Sequence, residues 1–422
     1  MVDIFPTESR KKLLLGSIKK MSSVIGGMLV LILSTRYLGP ELRGQYMFIL
    51  NSVSILSVIF LFGISSTIPY HARLQFRQIT IDEFYSISIY QFFLGILVSG
   101  IILVGGYNRL FIICLMTSFS VLSTQLNNLS LVTDFKRNAI AYISSSIVNC
   151  LLMVLIYLST EAKLIFVIAL WILKEIVVLS ILLYRAHFQL KKPRVQWIRL
   201  YKAALLPTLV IIMVDINYRI GVILLEKFGI SDYDIGIYTL GISIAQYTLI
   251  ISDVFKEVLL NENAKARNIP LTNRSLRFSF SILVLILFIL ILTGKWLLPC
   301  VFGDDFQKSY SVMILIMSAV PFMSHTKLIG VIFQVENLWK AYFWIMLIAS
   351  SLNVITLTLL VKDIGYYSAA VGSMVSYAVS GLLCLLFYSK KYRQPFLRLF
   401  LVNKEDVKEI SKVSVKRHKT PE

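Results

Sequence analysis

The sequence predicts an all-α integral membrane protein: about twelve transmembrane helices in two pseudo-symmetric six-helix lobes around a central cavity, with both termini cytoplasmic. Three observations point there. Apolar runs near 20 residues, the length that crosses a bilayer as a helix, recur along the chain with short polar breaks between them. Lysines and arginines crowd into alternate breaks, as the positive-inside rule requires. A faint repeat at a spacing of 192 residues relates the second half to the first.

Composition agrees. The 422 residues are 57% hydrophobic and 15% charged, with a mean hydropathy of +0.76. Soluble domains are nearer half apolar and a quarter charged. A membrane β-barrel would alternate polar and apolar residues in segments of about ten, and no such alternation occurs. The expected spans are residues 14–35, 45–68, 84–106, 110–131, 139–159, 163–184, 203–225, 235–258, 276–298, 309–334, 341–361 and 365–388. They divide the chain into an N-lobe at 1–190 (helices 1–6), a C-lobe at 191–390 (helices 7–12) and a basic cytoplasmic tail at 391–422. The longest connections are near 185–202 and 259–275.

A net charge of +19 would suggest nucleic acid in a soluble protein. Here the basic groups follow topology instead, so no nucleic-acid partner is expected. A cytoplasmic N-terminus places the larger share of the 42 Lys and Arg inside. These include Arg10 to Lys20, Arg73 and Arg77, the run from Arg185 to Lys202, Lys265 to Arg277, and the tail from Lys390 to Lys419. The positive start before an apolar core imitates a signal peptide. No small-x-small cleavage site follows, so it reads as an uncleaved first helix. The four cysteines (Cys114, Cys150, Cys300, Cys384) lie far apart in or beside apolar runs, with no metal spacing, and read as free thiols.

The span opening the second half, AALLPTLVIIMVDINYRIGVILLEKFG, carries Asp215 and Arg219 near its middle. A charge at that depth costs about 2.5–3.5 kcal/mol on insertion scales. Four residues apart on a helix, the two side chains share a face and can pair. Their retention in an apolar segment suggests a wet path between the lobes, and hence a transporter.

The repeat adds detail. Gly44 and Tyr46 recur as Gly236 and Tyr238, and Ala72-Arg73 recurs as Ala264-Lys265, each at an offset of 192. Six helices separate the copies, so both halves share one orientation, like parallel repeats about an axis along the membrane normal. Particular stretches then resemble a family: RYLGPELRGQY at 36–46, Gly63 in LFGIS, FG-x6-GIY at 228–238, VFGDDF at 301–306 and IGYYSAAVGS at 364–373. Each is loose alone. Together, with helix number and order, they resemble the bacterial polysaccharide (O-antigen, Wzx-type) flippases of the multidrug/oligosaccharidyl-lipid/polysaccharide exporter superfamily. The resemblance implies two six-helix lobes forming a V. It also implies alternating-access translocation of undecaprenyl-pyrophosphate-linked oligosaccharide across the bacterial inner membrane, a multi-pass location. A polysaccharide polymerase and a chain-length regulator are implied as partners beside the membrane lipids. Acidic groups within the spans, whose proton affinity depends on solvent access, suggest an H⁺ or Na⁺ gradient as the driving force, and no cofactor is expected.

Such a cargo needs cations for its phosphates, polar groups for its sugars and an apolar surface for its tail. The candidate substrate-binding residues are Arg219, Lys174, Lys327, Lys20, Lys19, Asn127 and Asn128; the candidate ion-coupling residues are Asp215, Glu175 and Asp253. Each deep cation also has a local reading: Lys174 beside Glu175, Arg219 a turn after Asp215, Lys327 snorkelling. Lys19 and Lys20 also read as inner-face anchors, and Asp253 as a partner of Lys256. Arg36 and Arg43 read as a solvated outer loop or as contacts for an outward-facing cargo. Gln91, Gln125, Gln246 and other amides within spans suit interhelical hydrogen bonds, and Pro207 and Pro321 are bending points.

Two other classes remain in view. A membrane polysaccharide polymerase would need a catalytic loop, but the outer connections are brief and no HExxH, GxGxxG or phosphate-binding loop occurs. No enzyme is therefore expected. Within the superfamily, a lipid II flippase or a multidrug exporter is the nearer alternative. Residues 22–33 lack the arginines that lipid II flippases resembling this chain carry in their first helix, and the prominence of deep cations favours an anionic cargo over cationic drugs.

Overall fold

The computed structural model describes residues 7–64, 68, 79–159, 161–184, 186, 188–265, 268–403 and 406. The basic residues Arg73, Arg77, Arg185 and Lys408 to Lys419, and the 72–73 end of the repeat, lie outside them. The protein is helical throughout these residues, in the order α1 (Thr7–Leu61), α2 (Ile81–Val104), α3 (Asn108–Thr133), α4 (Phe135–Ser159), α5 (Leu164–Leu183), α6 (Val195–Lys227), α7 (Asp232–Thr248), α8 (Ile250–Lys265), α9 (Ile269–Phe302), α10 (Ser309–Met317), α11 (Val320–Val335), α12 (Trp339–Ile364) and α13 (Tyr367–Tyr392). Ten of the described helical stretches are long and apolar enough to span a membrane, and α10 with α11, bent by 49°, forms an eleventh span. The apolar part of α1, residues 18–61, holds 44 residues, roughly 66 Å of helix against a hydrocarbon core of about 30 Å. Gly39 breaks it, at φ 64° and ψ −179°. Glycine takes that positive φ without penalty, and Pro40 excludes the helical conformation from the residue before it. Two crossings result, which gives the expected twelve.

Several ends are written in local chemistry. Thr80 and Glu83 form a reciprocal cap at the start of α2, each satisfying a backbone N–H that the first turn cannot. Asn268 accepts from the Leu271 amide to open α9. Pro321 lies in the first turn of α11, just past the bend, where a missing N–H costs nothing. Pro207 differs from the expected bending point: α6 runs on through it as one helix. Exposed apolar side chains recur at helical spacing, as Phe93, Leu97 and Ile101 on α2 and Leu285, Phe288, Leu292 and Trp296 on α9. Such faces suit lipid rather than water.

The chain forms two compact units, Met1–Gly236 and Ile237–Glu422. In the first, Tyr37 and Leu38 of α1 pack with Met153 of α4 and Val167 and Leu170 of α5. The unit extends beyond residue 190 because α6 runs along α1 and its leading loop is fastened to α2. Lys191 donates its amide to Ser86 Oγ at 2.8 Å, Arg194 and Lys191 lie 3.8 and 3.9 Å from Glu83 and Asp82, and Phe188 stacks on Tyr85 at 4.7 Å. The repeat appears here as backbone contact. A Cβ on Gly44 would lie 1.9 Å from the Asp232 carbonyl oxygen, and one on Gly236 would lie 1.8 Å from that of Pro40. Pro40 and Asp232 are themselves 192 residues apart. Two copies of one turn thus cross residue for residue, each glycine against its counterpart's first residue.

In the second unit, α13 packs against α11 and α12, and α11 against α8 and α9. The residues after α13 return to α9, where Asp406 accepts from Arg277 Nε at 2.6 Å and Nη2 at 2.5 Å. Burial opposes the Asp406 charge, but the Arg277 hydrogen bonds, the Asn403 amide and nearby Arg274 outweigh it and hold the carboxyl below its ordinary range. A depressed carboxylate contributes its stability in full above the unfolded pKa, about 3.9. It loses that contribution only as pH falls through the lowered value. Proteolysis of the C-terminal segment should therefore be constant from about pH 7 to about pH 5 and accelerate only in stronger acid. A rise already near pH 6 would contradict this anchorage.

Candidate functional site

Among the described residues, most of the expected charged and amide side chains gather at three places within the spans, two in the first unit and one in the second. In the first, Lys19 Nζ of α1 donates to Asn138 Oδ1 of α4 at 2.5 Å and lies 4.5 Å from the centre of the Tyr142 ring. Asn138 Nδ2 in turn donates to Asn127 Oδ1 of α3 at 2.7 Å and to Ser130 Oγ at 2.8 Å. Tyr142 lies within electrostatic reach of Glu175 of α5, whose carboxylate is 3.3 Å from its neighbour Lys174. The expected residues Lys19, Asn127, Glu175 and Lys174 thus border one polar tract across α1, α3, α4 and α5. Lys20 and Asn128, the next residues along α1 and α3, are half-buried, and consecutive helical residues face different ways.

The second place lies between α6 and the latter half of α1. Arg219 Nε donates to Asp215 Oδ1 at 2.8 Å, as the four-residue spacing predicts, and Ser54 Oγ donates to the same oxygen at 3.4 Å. Asp215 Oδ2 is buried, with no hydrogen-bond partner among the described residues. An unpaired carboxylate oxygen in apolar surroundings is expensive, and it is a ready acceptor for a proton or a cation. In the second unit, Lys327 of α11 donates to Asp253 of α8 at 2.8 Å. Lys327 is therefore paired rather than snorkelling, and Asp253 also stays within electrostatic reach of Lys256. These cations keep access to their surroundings: the side chains of Arg219, Lys174 and Lys327 are 37%, 32% and 21% exposed.

Three features were not legible beforehand. Arg43, placed in a solvated loop by sequence, is 1% exposed and donates to Thr35 Oγ1 at 2.5 Å across the Gly39 turn. A turn rich in glycine, proline and charge reads as wet; here it is covered. Asn138 was passed over, and it links Lys19 to Asn127. The third is an apolar cavity of about 530 Å³ lined by Phe60, Leu94, Val98, Cys114 and Tyr201, with the Gln91 amide at its wall. Gln91 accepts from Gln125 at 2.5 Å, one of the expected amide bridges, and Gln246 donates to Tyr377 at 2.9 Å. His325 is buried against carbonyls and Phe280, a packing role. All four cysteines are free thiols, as expected.

No family model and no curated protein sequence matches the chain. Solved structures do. The fold is similar to an inward-facing multidrug resistance MATE family transporter of the MOP superfamily, with 12% identity, 90% of this chain and 98% of that chain covered, and a TM-score of 0.67. It is also similar to the lipid II flippase MurJ in an inward closed conformation, with 16% identity, 92% and 90% covered and a TM-score of 0.62. A third is a MOP superfamily transporter from Pyrococcus furiosus Vc1, described as having a binding pocket of reverse polarity that suggests a different function, with 12% identity, 91% and 96% covered and a TM-score of 0.62. At these identities the likeness shows the fold: an all-α, multi-pass membrane architecture shared with transporters.

Proposed function

We propose that this protein flips an anionic lipid-linked oligosaccharide, in the form of undecaprenyl-pyrophosphate repeat units, across the bacterial inner membrane for O-antigen or another surface polysaccharide. The observation that carries this is the set of deep cations, Arg219, Lys174 and Lys327, each beside a carboxylate yet still partly accessible. A purely structural ion pair offsets its desolvation only with good geometry and further hydrogen bonds to its remaining groups. Cations left accessible can exchange their carboxylate for a phosphate, which accepts charge-assisted hydrogen bonds at least as well. The similarity to a lipid II flippase supports a lipid-linked cargo, and the apolar cavity beside Gln91 suits a hydrocarbon tail. Alternating access would be driven by an H⁺ or Na⁺ gradient through Asp215, Asp253 or Glu175, with Asp215 favoured by its unpartnered buried oxygen.

Deletion of the gene is expected to accumulate lipid-linked oligosaccharide on the inner leaflet and to deplete surface polysaccharide. Unchanged levels of both would refute the assignment. Export of apolar cations is the second reading, favoured by that same cavity and by the multidrug transporter among the similar folds. Dye efflux from intact cells, lost on deletion while surface polysaccharide persists, would select it.

A further inference from the structure

The apolar cavity of about 530 Å³ in the first unit has its free polar groups at one end only. Among the described residues, no charged side chain lines it. The hydroxyls in its wall are spent within α3: Thr117 donates to the Ile113 carbonyl at 2.8 Å and Ser118 to that of Cys114 at 2.9 Å. At the other end, Gln91 Nε2 donates to the Phe60 carbonyl and to the Tyr201 hydroxyl oxygen, each at 3.2 Å. Gln91 Oε1 is taken by Gln125. The Tyr201 hydroxyl therefore accepts, and its own hydrogen has no acceptor among the described residues. Phe60 ends the apolar stretch of α1 (residues 18–61), and Tyr201 comes just before that of α6 (residues 204–227). The charge distribution places both ends on the cytoplasmic side, so this one strong donor stands where headgroups meet acyl chains. Phe62 covers it, its ring edge-on to Tyr201 at 5.9 Å. The Phe62 φ of 45° is strained for a bulky residue and persists only where neighbours hold it. Phe60, Phe62 and Leu94 are exposed, so the cavity borders hydrocarbon from the side, while Val98 and Cys114 lie nearer the outer ends of α2 and α3. At about 30 Å³ of liquid volume per water-sized group, 530 Å³ holds roughly 18 such groups, the size of a single acyl chain.

We infer that one acyl chain of a glycerophospholipid from the cytoplasmic leaflet occupies this cavity, with its ester carbonyl accepting from the Tyr201 hydroxyl. A phosphate at that end would meet no cation in the wall and would keep an uncompensated charge. A neutral carbonyl needs one donor, and one is there. The inference rests on reading the cavity as a seat for a hydrocarbon tail, and it names the resident: a cargo tail entering there has a membrane lipid to displace.

The test uses the full-length protein in detergent, titrated with dipalmitoylphosphatidylcholine and read by native mass spectrometry. Its ether analogue, dihexadecylphosphatidylcholine, has the same head and chain length but no carbonyl, so the comparison needs no substitution. The ester lipid should bind the wild type about fivefold more tightly than the ether, the effect of one neutral hydrogen bond. Tyr201→Phe should bring the two level. Val98→Trp, which fills the cavity, should abolish saturable binding of both, and Leu97→Trp, on the exposed face of α2, should leave it unchanged. Equal binding of ester and ether lipids by the wild type would overturn the inference. So would saturable binding undiminished in Val98→Trp. Undecaprenyl phosphate that fails to displace the bound ester lipid would support the inference and count against the cavity as the cargo's seat.

Discussion

Gly44→Ala is expected to deprive the membrane of most folded protein. The new methyl group would begin 1.9 Å from the Asp232 carbonyl oxygen, with the Asp232 carbonyl carbon at 2.7 Å. Both are backbone atoms, so no side chain can swing aside. Overpacking of a filled site costs about 1–3 kcal/mol and sometimes more, and here the strain falls on the contact that joins the two copies of the repeat. Gly236→Ala should behave alike, meeting the Pro40 carbonyl at 1.8 Å. The two together should be less than additive, because either one already opens the crossing. Gly100 supplies the control. A Cβ there meets nothing within 4 Å, so Gly100→Ala should match or slightly exceed the wild type, as alanine favours helix. Thermal melting of detergent-solubilised protein, followed by size-exclusion fluorescence, measures all four; wild-type melting of Gly44→Ala would disprove the close crossing.

The second large effect is expected at Arg219. Arg219→Ala removes the charge-assisted hydrogen bond to Asp215 and leaves only Ser54, at 3.4 Å, on that carboxylate. Hydrogen bonds to charged groups contribute about 1.5–3 kcal/mol, and with Arg219 more than a third exposed the lower end applies, about a tenfold loss in export. Membrane insertion should persist, because a charge has been taken out of the bilayer. In the variant Asp215→Asn/Arg219→Ala, restored export would show the pair to be purely structural and would remove both residues from the mechanism. Full export by Arg219→Ala alone would remove it from the site.

What could be seen in the sequence follows the range of each interaction. Length and apolarity are properties of a continuous stretch, so the spans were legible, as were Asp215 with Arg219 and Lys174 with Glu175, neighbours along one helix. The repeat was legible through Gly44 and Gly236. Pairs made between helices were not. Lys327 with Asp253, Lys19 with Asn138, and Arg277 with Asp406 depend on which helices lie side by side, and no periodicity within a helix encodes that. Arg43 was misread for a related reason: a polar turn was taken as solvated, although its burial depends on what covers it.

The loop at 188–194 bears on how the first unit is held together. A segment that joins two repeats would ordinarily be a slack tether, and slack carries an entropic cost of closure that grows with length. Here the amide of Lys191, the ring of Phe188 and the charge of Arg194 are already fixed to α2. The connection is therefore sewn to α2 within the first unit, and little free cord remains before the start of α6.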